Sequence, residues 1–384
     1  MEIISRIARN QLPNHLGDHP VTPPATLYLE AANVEAPHWF ATSRSRNAVP
    51  YADAEHIGRI CADAMRVMGF DSDDVLLNMN APEPHLSGFA GRQAVAALGA
   101  TSYNDHFDDY HRVFETEREG DVTAVSSIPS KAIELAEEIE DRFGPPDQQF
   151  QSLTLGMFGG EPLRQDVRER VTDRWGLKRT REFYGSSETT LVAVGMDETR
   201  QLVPLLNHFV IEVEIDGNIR DIREFDRPAV GSILITDPSR EAVDVTRYRQ
   251  GDVIRVHPAS DIPRIEPLGR ADDAFLLDGA VVHPMDVEAA IHAGLGRETW
   301  WIIHVKDNED PIEIELYVTN HSNDGTELLL EELFRRIPAL RHAVGTSADE
   351  RIHIELLESA SALPKELATN VDWNTPIRES ELRQ

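Results

Sequence analysis

The sequence predicts an α/β fold, with a large N-terminal domain of doubly wound sheets that includes a β-rich part, and a small C-terminal α+β domain. Two observations lead to this prediction. Short apolar runs alternate with helical patterns over the first half of the chain, which is typical of parallel sheets with crossover helices. In addition, the 384 residues exceed what one hydrophobic core usually supports, so more than one domain is expected.

The alternation begins with a helical pattern over residues 51–69, where apolar side chains, including the single cysteine Cys61, recur every three or four positions. Strand patterns and helical patterns then alternate in the order 74–80, 91–100, 121–127, 130–144, 152–160 and 165–176. Ligands of such sheets bind beyond the carboxyl ends of the strands. The segments FGGEP (158–162) and FYGSSE (183–188) lie at such ends, so they are candidates for a binding site.

A β-rich part is predicted at about 200–268, because HFVIEVEIDGNIRDIREF (208–225) reads as two extended runs joined at the turn signal Asp216-Gly217-Asn218. We place the domain boundary so that 1–272 form the large domain and 273–384 the small one. The small domain is predicted to contain helices and strands in the order 284–295, 299–305, 312–318, 326–340 and 351–358. The tail after Glu358 has no clear periodicity.

The charge balance limits the partners. There are 67 acidic and 37 basic side chains, which give a net charge of -30. This indicates a salt-adapted or otherwise strongly solvated surface, and such a field repels phosphate backbones and anionic lipid, so neither nucleic acid nor a membrane is expected as a partner. One cysteine excludes an internal disulfide and a Cys-rich zinc site. Since no leader or membrane-spanning pattern is present, we expect a cytoplasmic protein.

Four short motifs carry the functional prediction: GGEP (159–162), YGSSE (184–188), RYRQGD (247–252) and GRADD (269–273). Each is weak alone, since REFYGSSETT (181–190) by itself reads as a strand running into a capped helix. Their order and spacing are more specific. With GSILIT before the third motif and LDGAVVHPMDVEAAI after the fourth, they resemble the adenylate-forming ligase superfamily, most closely its phenylacetate-CoA ligase branch, from about residue 60 to 358.

The resemblance implies an enzyme that uses ATP and Mg²⁺ to convert a carboxylic acid to an acyl-adenylate. By the resemblance, Tyr184 stacks on adenine, with Gly185 in the same nucleotide-binding stretch. The backbone of Gly160, Glu161 and Pro162 would form the other side of the base pocket. The alternative from the residues alone is that Tyr184 is an ordinary half-buried aromatic side chain.

The remaining motif residues are matched by the resemblance to the phosphates, the metal and the ribose. Ser187 would donate its hydroxyl to the α-phosphate or the substrate carboxylate, and Glu188 would bind Mg²⁺, a cation that prefers oxygen ligands. Asp252 would accept hydrogen bonds from both ribose hydroxyls. Arg270 would reach the ribose or phosphate, and Asp272 occupies the hinge position about which the small domain rotates. Alternatively, Glu188 is a first-turn carboxylate and Asp252 a turn residue.

Two segments depart from the family pattern. Relatives have a Gly- and Lys-containing loop that wraps the outer phosphates, but here ATSRSRNAVPY (41–51) contains neither residue. Arg44 and Arg46 are the candidates to hold pyrophosphate oxygens instead, and a solvated surface loop is the alternative. Near the C-terminus, the family's catalytic lysine position falls at Ala368 or Thr369, so Lys365 could replace that lysine only if the loop shifts.

The leading hypothesis is therefore an enzyme that activates a carboxylic acid, aromatic by analogy with the family. The acceptor of the acyl group is left open between coenzyme A, an amine and a reductase. The competing hypothesis is a nucleotide- or acyl-binding protein that kept the adenosine pocket and lost turnover. The two departures favour it, and the retention of Glu188, Asp252, Arg270 and Asp272 disfavours it. Relatives of this branch are often homodimers.

Overall fold

A computed structural model provides the structure of the protein. It describes residues 20–21, 38–41, 46–49, 51–81, 85–104, 112, 115, 121–197, 199–240, 244–277, 280–295, 301–306, 313–319, 325–344, 352–358, 362–364 and 375–378. The chain divides into two compact units, Met1–Pro267 and Leu268–Gln384. The boundary predicted at 272/273 rests on the hinge assignment of Asp272 and stays a prediction.

The main sheet of the first unit has seven strands in the order β4-β3-β5-β6-β7-β8-β9. From β4 to β7 neighbouring strands are parallel, whereas β8 and β9 are antiparallel additions at one side. Its strands are β3 (Val75–Asn78), β4 (Thr101–Asn104), β5 (Ala124–Ser127), β6 (Leu155–Phe158), β7 (Arg179–Ser186), β8 (Thr190–Val194) and β9 (Val203–Pro204). Before them, β1 (His38–Ala41) and β2 (Arg46–Val49) form a hairpin.

Five helices of this unit are α1 (Tyr51–Met68), α2 (Leu86–Leu98), α3 (Pro129–Phe143), α4 (Pro146–Gln149) and α5 (Gln165–Trp175). The apolar faces of α1 and α2 share one core with residues of the second, β-rich sheet, such as Ile211 and Ile233. The other face of the main sheet is covered by α3 and α5, where Trp175 donates its indole N–H to the carbonyl of Ala132 at 2.9 Å. The sheet is therefore covered on both faces, as parallel strands require.

The β-rich part is a sheet in the order β11-β10-β12-β13-β14, in which β10 is antiparallel to β11 and β12, and β12 to β13. Its strands are β10 (Val210–Ile215), β11 (Asn218–Asp221), β12 (Ala229–Asp237), β13 (Val245–His257) and β14 (Arg264–Arg270). The predicted turn between the first two strands is confirmed, with positive φ angles at Asp216 (50°) and Gly217 (76°). This is the backbone form that a two-residue hairpin loop needs.

The second unit begins with a hairpin and continues as a four-stranded sheet in the order β19-β18-β17-β20. Its elements are β15 (Phe275–Leu277), β16 (Ala280–Val282), α6 (Pro284–Leu295), β17 (Trp301–Lys306), β18 (Glu313–Thr319), α7 (Gly325–Arg336), α8 (Pro338–Val344), β19 (Ile352–Leu357) and β20 (Thr375–Arg378). The single helix predicted at 326–340 is two helices, because Pro338 disfavours helical backbone at Ile337.

The predicted α/β class is confirmed, and two local predictions are corrected. Residues 181–190 run from one strand into another, not into a helix, since Thr190 already belongs to β8. The tail without periodicity contains β20, which pairs in parallel with β17. Within the described residues, no helix combines the length and apolarity that a bilayer span requires.

Candidate active site

A cleft of about 250 Å³ opens at the carboxyl ends of the parallel strands, where the sequence predicts ligands to bind. We call it the apolar cleft, because most of its walls are carbon. It is lined by Cys61, Asn80, Leu86, Ser87, Ala90, Ile128, Gly159, Gly160, Phe183, Gly185, Ser186, Ser187, Thr190 and Leu191. Two predicted motifs, GGEP and YGSSE, therefore border the same cleft.

The GGEP loop is held by side chains rather than by a strand. Gly160 has a φ angle of 86°, a conformation that favours glycine, and its backbone is exposed at the cleft. The carboxylate of Glu161 turns away and accepts hydrogen bonds from the hydroxyl and backbone N–H of Ser130, at 2.6 and 3.3 Å, near the start of α3. The Glu161 side chain therefore fixes the loop, and the predicted contribution of the Glu161 and Pro162 backbone to a base pocket stays a prediction.

A buried carboxylate supports the same loop from β7. Glu182 accepts a hydrogen bond of 3.1 Å from the backbone N–H of Leu163, and the guanidinium of Arg168 lies 3.8 Å away. Burial raises the pKa of Glu182, opposed by the charge of Arg200 and the bond from Leu163. Since Leu163 directly follows GGEP and Glu182 lies on the strand that leads into YGSSE, their hydrogen bond couples the positions of the two motifs.

The YGSSE segment is a tight connection between β7 and β8. A Cβ at Gly185 would lie 1.8 Å from the carbonyl oxygen of Thr190, so only glycine fits. The hydroxyl of Ser186 accepts bonds from the backbone N–H groups of Glu188 (3.2 Å) and Thr189 (3.3 Å), and thereby caps the turn. Thr190 has a φ of 61°, a strained value for a β-branched residue, and such strain is found preferentially at functional sites.

Four side chains form what we call the polar network. They are Tyr184 on β7, Thr189 in the turn before β8, and Gln250 and Asp252 on β13. The Tyr184 hydroxyl donates to Asp252 Oδ2 at 2.7 Å, and the Gln250 amide donates to both groups, at 3.0 and 2.8 Å. Thr189 donates to Gln250 Oε1 at 3.2 Å. The structure therefore brings together Tyr184 and Asp252, which are predicted to bind adenosine and lie 68 residues apart.

Glu188 follows Ser187 in the same turn, and it is only 8% exposed. Its backbone carbonyl accepts a hydrogen bond of 3.0 Å from Arg240. Among the described residues, no group of three or more His, Cys, Asp or Glu side chains could hold a metal ion. The single carboxylate of Glu188 is compatible with Mg²⁺, which proteins bind through one or two carboxylates together with substrate phosphates.

Ser187 and Cys61 both line the apolar cleft. Ser187 is half-buried, which is suitable for a hydroxyl that meets a ligand. Burial raises the pKa of the Cys61 thiol to about 12, so the thiol is uncharged at physiological pH. The prediction that Cys61 is a core residue is confirmed, and the structure adds that it borders the cleft.

Sequence reasoning missed several residues that support the site. Gln250 and Asp252 are separated by two positions in β13 and so share one strand face, a pattern that could have been found. His208 donates from Nε2 to Asp63 Oδ2, on α1, at 2.9 Å. Burial tends to raise the pKa of Asp63, but the bonds to His208 and Arg66 outweigh it and lower the pKa.

Five further predicted site residues lie in other segments or outside the described residues, and their roles stay predictions. Arg270 ends β14 and is partly buried, and Asp272 is exposed in a 3-10 turn, both in the second unit. Arg44 and Lys365 lie outside the described residues. Of Arg46 only the backbone, in β2, is described.

Comparison with known proteins gives a consistent result. Residues 54–238 match a family model described as "AMP-binding enzyme". The chain is 29% identical over 222 residues to a phenylacetate-coenzyme A ligase of Pseudomonas putida, a match that covers 54% of this chain and 49% of the relative. A ligase of the same name from Escherichia coli is 27% identical over 245 residues, with 62% and 55% covered. The chain thus spans about half the length of the curated relatives it matches.

A solved structure described as 2-hydroxyisobutyryl-CoA ligase, in the postadenylation state with 2-HIB-AMP, has the same fold. Its TM-score is 0.68 at 18% identity, and the match covers 95% of this chain and 80% of that one. This similarity confirms the fold predicted from the sequence.

Proposed function

We propose that the chain is a member of the adenylate-forming superfamily, in which it is similar to the phenylacetate-CoA ligase branch, and that it activates a carboxylic acid with ATP. The reaction forms an acyl-adenylate and releases pyrophosphate. Transfer of the acyl group to the thiol of coenzyme A follows, which makes the protein an AMP-forming acid-CoA ligase.

One observation carries the proposal. A single turn, residues 184–188, supplies Tyr184 to the polar network and Gly185, Ser186 and Ser187 to the apolar cleft. A polar region suited to a nucleoside and an apolar pocket suited to an acid therefore adjoin each other. Adenylation needs this adjacency, because the carboxylate and the α-phosphorus must be held within reach of each other.

On the nucleotide side, the ring of Tyr184 and the exposed backbone at Gly160 are the surfaces for adenine. Asp252 is 9% exposed and carries a carboxylate, which can accept two hydrogen bonds from a vicinal diol such as ribose. Its Oδ2 atom is already oriented by Tyr184 and Gln250. The acceptor is thus fixed in place before the nucleotide arrives, which lowers the entropic cost of binding.

In the chemical step, a carboxylate oxygen of the acid attacks the α-phosphorus, an O–P bond forms, and the bond to the pyrophosphate oxygen breaks. Negative charge moves onto the leaving pyrophosphate. We assign to Ser187 the donation of a hydrogen bond to the α-phosphate or the carboxylate at the mouth of the cleft. Glu188 is the proposed Mg²⁺ ligand, and the ion would neutralise phosphate charge.

The proposed substrate is an aromatic carboxylic acid. The cleft volume of about 250 Å³ exceeds the ~150 Å³ of an apolar cavity known to hold benzene. Leu86, Ala90, Phe183 and Leu191 provide apolar contact for a ring. The names of the curated relatives, phenylacetate-coenzyme A ligases, favour the same class of acid and coenzyme A as acceptor.

ATP–pyrophosphate exchange tests the proposal. Labelled pyrophosphate should enter ATP only when a suitable acid is present, and a panel of aromatic, aliphatic and hydroxylated acids would identify the class. High salt should be included because of the net charge of -30. Binding of ATP or AMP without exchange for any acid would contradict the enzyme and support the competing nucleotide-binding protein.

A further inference from the structure

A buried arginine outside all four motifs contacts the proposed metal ligand's backbone. Arg240 follows β12, and its guanidinium is 1% exposed. It donates from Nε to Asp53 Oδ2 at 3.1 Å and from Nη1 to the carbonyl oxygen of Glu188 at 3.0 Å. Asp53, in the first turn of α1, is fully buried. One guanidinium therefore joins three segments that are far apart in the sequence.

The turn that carries Arg240 is itself attached to α1. Asp237, at the end of β12, bonds to His56 Nε2 at 2.9 Å. Asp53 and His56 are three positions apart and so face the same side of the helix. The turn 237–240 is thus held by two adjacent buried contacts, which fix where the guanidinium lies relative to α1.

Arg240 orients one peptide group. The guanidinium is rigid and planar, so the bond from Nε to Asp53 fixes the orientation of the whole group. This orientation directs Nη1 at the carbonyl oxygen of Glu188. On its other side, the N–H of Glu188 donates to the Ser186 hydroxyl at 3.2 Å. Both backbone polar groups of Glu188 are therefore held, and only side-chain torsions are left to place its carboxylate.

The ion pair has little value as a source of stability. Burying two charges costs several kcal/mol per ion, so a buried pair is often no more stabilising than apolar residues of the same size. A role in orientation accounts better for a charged group here. Mg²⁺ requires nearly ideal octahedral geometry, so a carboxylate that binds it must be placed accurately.

We propose that Arg240 and Asp53 are positioning residues, which hold the Glu188 peptide so that its carboxylate meets the metal of Mg·ATP. This inference rests on the proposed function, in which Glu188 binds Mg²⁺. Neither residue touches the substrate in this account. They act through Glu188, and the effect of changing them is expected on the metal-dependent part of ATP binding.

The test is titration calorimetry of the full chain with ATP, once with EDTA and once with excess Mg²⁺. The ATP affinity with Mg²⁺ divided by the ATP affinity with EDTA is what we call the metal-dependent gain. In Arg240→Lys, which keeps the charge but loses the fork, and in Asp53→Asn, we expect this gain to fall about 10-fold. The metal-free affinity should stay within about twofold of the wild type.

A matched control is available in the same sheet. Arg255, which lies outside the four motifs, forms an ion pair with Glu266 at 3.2 Å, in which both side chains are largely buried. Arg255→Lys should lower thermal stability in the same way as Arg240→Lys and leave the metal-dependent gain unchanged. A merely structural role of Arg240 predicts that the two variants behave alike.

A double-mutant cycle with Glu188→Gln separates action through Glu188 from direct action. In the Glu188→Gln background, Arg240→Lys should cause no further loss of the gain. Any of three results would overturn the inference: an additional loss of the metal-dependent gain in the Glu188→Gln background, an unchanged gain in both single variants, or no gain in the wild type. If the wild type shows the metal-dependent gain but no pyrophosphate exchange with any acid, the proposed function fails. The positioning role is then still tested, because the ATP affinities with Mg²⁺ and with EDTA do not depend on exchange.

Discussion

The polar network and the apolar cleft share one turn, yet they are built by different means. In the network, Tyr184, Gln250 and Asp252 are held by mutual hydrogen bonds of 2.7 to 3.0 Å. In the cleft, residues such as Leu86 and Phe183 present carbon surface whose shape depends on packing. A ligand group in the network is therefore recognised by orientation, and one in the cleft mainly by volume.

This difference indicates how each region tolerates substitution. Removing one member of a hydrogen-bonded network leaves a buried partner unsatisfied, at a cost of about 1–3 kcal/mol or more for a charged group. Changing one methylene in an apolar pocket shifts preference between ligands by a similar or smaller amount. We therefore expect the network and its turn to determine whether the reaction proceeds, and the cleft to determine which acid reacts.

The largest effect is expected for Glu188→Gln, which removes the proposed metal ligand without changing size. The rate of pyrophosphate exchange should fall about 100- to 1000-fold, since charge stabilisation in the transition state is lost. Exchange rate against Mg²⁺ concentration is the measurement. Glu214→Gln, in β10 of the β-rich sheet, is the control and should exchange normally. If the exchange rate of Glu188→Gln depended on Mg²⁺ concentration as that of the wild type does, Glu188 would not be a ligand of the metal.

The next largest effect is expected for Asp252→Asn, which keeps the shape of the network but replaces two acceptor oxygens with one acceptor and one donor. The Kd for ATP should rise about 10- to 100-fold, as for loss of a charged hydrogen bond. Calorimetry with AMP, which shares the ribose, should show the same rise. Asp221→Asn, at a cap in the same sheet, is the control. Equal losses in both variants would indicate general destabilisation instead of ribose binding.

A smaller effect is expected in the cleft for Ala90→Val, which adds two methyl groups to the wall formed by α2. The kcat/KM for an aromatic acid should fall about 10-fold relative to that for a short aliphatic acid, because the pocket narrows. The Kd for ATP should not change. Ala97→Val, on the exposed side of α2, serves as the control. A parallel fall for all acids would argue that the cleft does not bind the acyl group.

The smallest effect is expected for Cys61→Ala, which tests whether the thiol that borders the cleft ionises. Because burial raises the pKa of this thiol to about 12, the protonated form persists well above neutral pH and the cleft stays uncharged. A thiolate would repel a carboxylate substrate, so the KM for the acid should not rise toward alkaline pH in the wild type. The wild type and Cys61→Ala should give superimposable profiles of KM against pH. A rise in KM that disappears in Cys61→Ala would show that the thiol ionises.

The sequence was sufficient for the fold class and for the main site pairing. Short apolar runs alternating with helical patterns predicted the α/β arrangement. The resemblance predicted one site for Tyr184 and Asp252, and the two side chains share a 2.7 Å hydrogen bond, while their roles in nucleotide binding stay predictions. The strand after Glu188 was predicted wrongly as a helix. Ser and Glu there are typical of a helix start, but the β-branched Thr189, Thr190 and Val192 favour the extended backbone that forms.

Long-range contacts outside the four motifs could not be predicted, because nothing in local sequence encodes them. The bond from Arg240 to Asp53 spans 187 residues, and neither residue lies in a motif. Gln250 is different, since its position two residues before Asp252 on one strand gave a local signal. The roles assigned to Arg270, Asp272, Arg46, Arg44 and Lys365 stay predictions.

The most direct test of the account follows the oxygen atoms of the acid. An acid from the active part of the exchange panel, labelled with ¹⁸O in its carboxylate, would be incubated with ATP, Mg²⁺ and coenzyme A, and the products examined by ³¹P NMR. Adenylation predicts that AMP carries one ¹⁸O from the acid and that pyrophosphate carries none. Unlabelled AMP, or label in orthophosphate, would contradict attack of the carboxylate on the α-phosphorus.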